Sequence, residues 1–183
     1  MNLNTITNEA ERHLLRQGNH PPTVILLLDD VQTPIRRELL SFPGTPEKRQ
    51  YTLFALGKQL GESYQTKNLR KVWFISEAWL QSLSESPLPK RREGLFVVEI
   101  DITTLEQILD VREIVRGKHT RKIKTLRPFQ DDHSTVRGPV TAHGALILSF
   151  VAGFADAASS HHSYKNLFTR LQAEKAYMNR LFD

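Results

Sequence analysis

The chain contains no cysteine. Disulfides, zinc sites built on thiolates and a cysteine nucleophile are excluded at once. The absence fits a reducing cytoplasm, which is the compartment we expect. Long apolar runs are also missing. The most apolar stretch, residues 145–155 (ALILSFVAGFA), is too short for a bilayer span, which needs roughly 18 or more apolar residues. It reads instead as a buried helix, and no membrane partner is expected. The first residues, MNLNTITNEAERHLL, carry acids and no apolar core, so they do not read as a secretory signal. Glycine-rich phosphate loops are absent, and no histidine pair has HExxH spacing. Neither a cofactor nor a metal ligand set is therefore assigned.

What is present is an ordinary globular composition, 39% apolar and 25% charged over 183 residues. That length predicts one domain with a real core. We expect an α+β core over residues 1–129, a loop over 130–140, and C-terminal helices over 141–183. The net charge of +5 is local. Residues 111–127 hold seven cations against Glu113 alone, a net +6, so the remainder carries −1.

Along the chain, residues 7–17 read as a helix, with Asn8 and Glu11 at capping-box spacing and Gly18 closing it. Residues 23–29 (TVILLLD) form a continuous apolar run, the mark of a strand buried on both faces. Residues 31–42 are ambiguous because of Pro34. Thr45 and Pro46 open a second helix, reaching about Gly61. Gly57 and Gly61 within it suggest close packing on the sheet. Residues 70–79 and 94–102 are two further strands, joined by a loop rich in serine, proline and arginine.

Residues 103–127 admit two readings. As a helix, Thr103 and Glu106 cap a stripe through Leu105, Ile108, Leu109 and Val115. As a hairpin, Leu109, Val111 and Val115 alternate with Asp110, Arg112 and Arg116, and Gly117 turns the chain. The hairpin is preferred. Residues 128–139 read as a loop, 144–158 as a buried helix, and 163–182 as a strongly amphipathic helix. Together these predict an α+β domain with a mixed or antiparallel sheet of about five strands, two N-terminal helices and a C-terminal helical pair.

The FISEAW strand, the PLPKRREGLFVVEID segment and the hairpin between EIVRG and KTLRPF resemble an uncharacterised family of small bacterial proteins. Its members carry a similar SEAW strand, then a loop with proline, arginine and glutamate, then another strand. The resemblance spans about residues 23–129. It implies an α+β sheet and supports the hairpin, and it implies no activity.

Three kinds of site are legible. Asp29, Asp30, Glu77, Glu99 and Asp101 sit at or near strand ends. If they converge, they hold a divalent cation as metal-dependent phosphodiesterases and nucleases do, with Lys71 or Arg92 meeting a phosphate. Solvated, ion-paired strand ends are the plainer reading. Ser76 lacks the flanking glycines of a nucleophile elbow and reads as a strand residue, with Trp79 as a core or interface anchor. Secondly, Arg112, Arg116, Lys118, Arg121, Lys122 and Lys124 make a basic hairpin suited to nucleic acid or another polyanion. Base-stacking aromatics are missing from it, Phe129 excepted. Thirdly, Leu167, Phe168, Leu171 and Met178 line the last helix and suit pairing with a second copy of the chain. The expected function is thus a non-catalytic binding or accessory protein, with the phosphodiesterase as alternative.

Overall fold

The structure is a computed structural model that describes residues 1–29, 31–64, 68–80, 92–117, 122–129, 135–138 and 142–157. It is an α+β fold built on one antiparallel sheet. The strands are β1 (Thr23–Leu28), β2 (Ile35–Glu38), β3 (Leu69–Leu80), β4 (Arg92–Asp101), β5 (Gln107–Arg116), β6 (Ile123–Pro128) and β7 (Thr135–Gly138). The helices are α1 (Leu3–Gln17), α2 (Pro46–Ser63) and α3 (Ala142–Ala157). Strand order is β2-β1-β3-β4-β5-β6, with β7 also on β5.

β3 and β4 form the long central hairpin, paired from Lys71 with Asp101 to Leu80 with Arg92. Their alternation sorts side chains to opposite faces. Val72, Phe74, Phe96, Val98 and Ile100 join Val24, Leu26, Leu53, Leu60, Phe150 and Phe154 in one cluster, beneath α2 and α3. Trp73, Ile75, Leu95 and Val97 join Ile25 and Ile114 in the other, beneath Leu3, Ile6, Ala10 and Leu14 of α1. The sheet is therefore covered on both faces. That explains why TVILLL and LFVVEI read as continuous apolar runs although the sheet is antiparallel.

Several expectations change in detail. The sheet is close to the expected size of about five strands, with two further four-residue strands, β2 and β7, to make seven described. β2 is a four-residue edge strand, IRRE, with three exposed positions, so it lacks any apolar alternation. β7 falls inside the segment read as a loop. It pairs Gln107–Asp110 of β5, while β6 pairs Arg112–Arg116, so the two share one edge in succession. The hairpin reading holds: β5 and β6 are strands, and the Gly117 N–H donates to the Lys122 carbonyl. α1 starts four residues earlier than expected, because the Asn2 side chain caps it by accepting from the Thr5 N–H at 3.0 Å. Gly18 does close it, at φ 81° with its N–H on Leu14. The amphipathic segment 163–182 lies outside the described residues.

Gly57 and Gly61 serve close packing, but against α3 and not the sheet. A Cβ on Gly57 would lie 2.0 Å from the Phe150 carbonyl oxygen, and one on Gly153 would lie 2.0 Å from that of Phe54. The two helices thus touch backbone to backbone, each through a glycine of its own. Lys58 and Asp156, 3.3 Å apart, bridge them at the exposed rim.

Candidate functional site

The strand-end carboxylates do not gather into one group: Glu99 and Asp101 share Lys71 Nζ, at 2.6 and 4.0 Å, while Glu77 lies apart. Glu77 lies six residues beyond Lys71 on β3, about 20 Å along the strand at ~3.3 Å per residue. Glu99 and Asp101 pair with the opposite, Lys71 end. The antiparallel register therefore sends Glu77 to one end of the sheet and Asp101 to the other.

Each has structural work where it lies. Glu99 is buried, accepting from Lys71 Nζ at 2.6 Å and from Trp73 Nε1 at 2.7 Å. Both partners are on β3, and the pair satisfies the indole of the largest buried side chain. Asp101 Oδ1 accepts from the N–H of Thr103 at 2.9 Å and of Thr104 at 3.3 Å. It builds the turn into β5, in which Leu105 takes a positive φ of 57°. Asp29 pairs with Arg70 at 3.3 Å on the surface. Asp30 lies outside the described residues. Among the described residues, no three His, Asp or Glu side chains are grouped to hold a metal ion. Ser76 is a half-buried strand residue opposite Phe96, as expected. Trp79 is not a core residue: it is 65% exposed, and Trp73 is the buried tryptophan.

Glu77 belongs to a polar cluster where α1 ends. It accepts the backbone N–H of His20 and lies 3.6 Å from Arg116 Nη2. Arg116 also contacts Glu93 at 2.5 Å and the Gly18 carbonyl at 3.3 Å. One guanidinium thereby ties β5 to β3, β4 and α1. Burial pushes the Glu77 carboxyl above its usual range, and Glu93 adds to this; the His20 N–H and Arg116 oppose it. Burial lowers the pKa of His20, aided by His13 and Arg36, against its ring bond to the Pro21 carbonyl and the charge of Glu38.

The basic hairpin divides in two. Arg112 and Arg116 share a face, as the alternation required, but that face looks toward α1. Arg112 grips Asp110 through Nε and Nη2 at 3.0 and 3.1 Å and lies 3.5 Å from Glu11 of α1. Arg127 grips Glu113 the same way, at 3.0 and 3.2 Å. These three arginines are matched to acids, and the matching acids are not Glu99 and Asp101. Lys122 and Lys124 are exposed at the start of β6. Lys124 sits where the β5–β6 register shifts, between the partners of Val115 and Arg116. Lys118 and Arg121 lie outside the described residues, as do Leu167, Phe168, Leu171 and Met178.

A cleft that sequence reasoning did not find lies at the opposite sheet edge. It is an open hollow of about 350 Å³ between α1 and β2, lined by Glu9, Arg12, His13, Arg16, Gln17 and Arg36. Arg12 and Arg16 stand one turn apart on α1, a spacing visible in the sequence. Arg36 arrives from the short edge strand, and nothing local in the sequence reveals that meeting.

No family model matches the chain, and no curated protein or solved structure matches it. Among the described residues, no helix is long and apolar enough to cross a membrane.

Proposed function

We propose that the protein is a non-catalytic binding protein whose β5–β6 hairpin docks on a polyanion, with nucleic acid as the partner class. The observation that carries this reading is the exposure of Lys122, just before edge strand β6, and of Lys124 on it. Lys118 and Arg121 directly precede them, and no acidic residue occurs from Ile114 to Gln130. Arg112 and Arg116 hold the hairpin against its neighbours through carboxylates, and Arg127 ties its two strands together through Glu113. The lysines at the start of β6 are exposed and can meet phosphates. With no Phe, Trp or Tyr in the sequence from Glu113 to Pro128, binding rests on backbone charge and not on stacking.

A phosphodiesterase is less well supported. Glu77 stands at the other end of the sheet from Glu99 and Asp101, and Glu99, Asp29 and Glu77 each lie beside a cation. Fluorescence anisotropy of a labelled DNA duplex tests the binding reading. Affinity should be measurable at low salt and fall steeply at moderate salt. No salt-dependent binding to DNA or RNA would remove it.

A further inference from the structure

We propose that the α1–β2 cleft is a binding site for the phosphate monoester group of a small, hydroxyl-bearing molecule, separate from the hairpin. The first ground is an unbalanced charge. Arg12, Arg16 and Arg36 face one hollow whose lining includes a single acid, Glu9. Glu9 Oε2 engages Arg36 at 3.2 Å. Arg12 uses its Nε on the Asn8 carbonyl at 3.2 Å, which leaves its two terminal nitrogens for a ligand. Arg16 makes neither a hydrogen bond nor an ion pair among the described residues. Its place in the last turn of α1 suits the helix dipole. That accounts for one cation near this end, but not for three guanidinium groups around one hollow. Like charges a turn apart on a helix repel. A bound dianion relieves that repulsion.

The second ground is the chemistry of the wall. Every lining residue is polar or charged, so the hollow favours a polar ligand. Guanidinium groups present paired N–H donors that fit phosphate oxygens two at a time. Gln17 adds an amide, and His13, whose ring lies 4.9 Å from that of His20, adds an imidazole. The Glu9 carboxylate beside Arg36 accepts from a ligand hydroxyl and repels a second anionic group. That combination selects a monoester with a neutral, hydroxylated remainder.

The third ground is size and place. About 350 Å³ stands at the small end of ligand sites, which run from roughly 300 to 1,000 Å³. It has room for a phosphate and a short polyol. β2 and β6 are opposite edges of the sheet, so this site and the hairpin stand or fall separately.

The test is a titration of the full chain, followed by NMR of the backbone amides and arginine Nε–H groups. The probes are inorganic phosphate, glycerol phosphate, and sodium chloride at matched ionic strength. Saturable shifts at Arg12, Arg16, Gln17 and Arg36 are expected with both phosphates, and glycerol phosphate should bind the tighter. R16Q should weaken binding about tenfold or more, in keeping with loss of a charged hydrogen bond. R36Q should do the same, and both variants should keep the wild-type circular dichroism spectrum. A Lys122→Gln, Lys124→Gln double variant should bind as the wild type does. Equal shifts with chloride, no saturation, or undiminished binding by R16Q and R36Q would each overturn the proposal. So would weakened duplex binding by R16Q with no response to the monoester, which would assign the cleft to a nucleic-acid backbone.

Discussion

Asp101 spends its carboxylate on the backbone. Two N–H groups of the β4–β5 turn bond to one of its oxygens, so an acceptor is what the site needs and a charge is not. Asp101→Ala should cost about 1 kcal/mol, and Asp101→Asn, which keeps the oxygen, only a small part of that. Urea denaturation measures both. An equal loss in the two variants would mean that the charge matters, through Lys71 at 4.0 Å. His20 and Glu77 set a second prediction, because burial moves their pKa values in opposite directions. An unfolded histidine takes up a proton as pH falls through 6.5, while folded His20 resists it. Stability linked to His20 is therefore whole above 6.5 and declines below it. Glu77 runs the other way. Its contribution is whole below 4.5 and is lost as pH rises through its raised folded-state value. In weak acid the two slopes offset each other. His20→Asn removes only the first, so its stability deficit should shrink between about pH 8 and about pH 5.5. A deficit that stays constant between those pH values would contradict this. None of these roles was legible beforehand. Glu77 and Asp101 are both acids at strand ends in the sequence, and only the register separates them.

At the scale of elements, α2 and α3 make the tightest contact in the fold. Gly57 meets the Phe150 carbonyl and Gly153 meets that of Phe54, so an added methyl has backbone, not a movable side chain, in its way. Gly57→Ala should therefore cost about 3 kcal/mol or more, since overpacking a fixed contact forces the helices apart. Gly44→Ala is the control, with nothing within 4 Å of its added Cβ, and should change stability little. Thermal or urea melts compare the two. An unaffected Gly57→Ala protein would mean that α2 and α3 are not this close. Strands β1, β3 and β4 were legible because each is an apolar run, and α3 because ALILSFVAGFA is apolar all round. β2 and β7 were not. Each has four residues, and IRRE has three exposed positions, so neither carries a periodic signal of its own. They are strands because β1 and β5 offer open edges to pair with. The glycines were visibly unusual within a helix, yet the partner they admit lies nearly a hundred residues away.

For the molecule as a whole, charge in the sequence and charge on the surface are different quantities. Residues 111–127 hold a net +6, but Arg112 and Arg116 face carboxylates from outside that window, on α1, β3, β4 and the preceding Asp110 of β5. Those acids lie up to a hundred positions away in the chain, so counting charges in a window overstates the exposed field. The same folding gathers Arg12, Arg16 and Arg36 from separate segments into one hollow that no window reveals. Lys122 and Lys124, at the start of β6, are exposed. Exposed lysine on an edge strand also discourages pairing with another sheet, and the bulged position of Lys124 adds to that protection. Polyanion docking makes a stricter demand than protection does, because it predicts a number. The slope of log affinity against log salt for duplex DNA is about −0.9 per phosphate neutralised. Four hairpin cations, Lys118, Arg121, Lys122 and Lys124, therefore predict a slope of about −3 to −4. Measured in parallel, the Lys122→Gln, Lys124→Gln variant should show a slope shallower by about 2. An unchanged slope in that variant, or no salt dependence in the parent protein, would contradict the account.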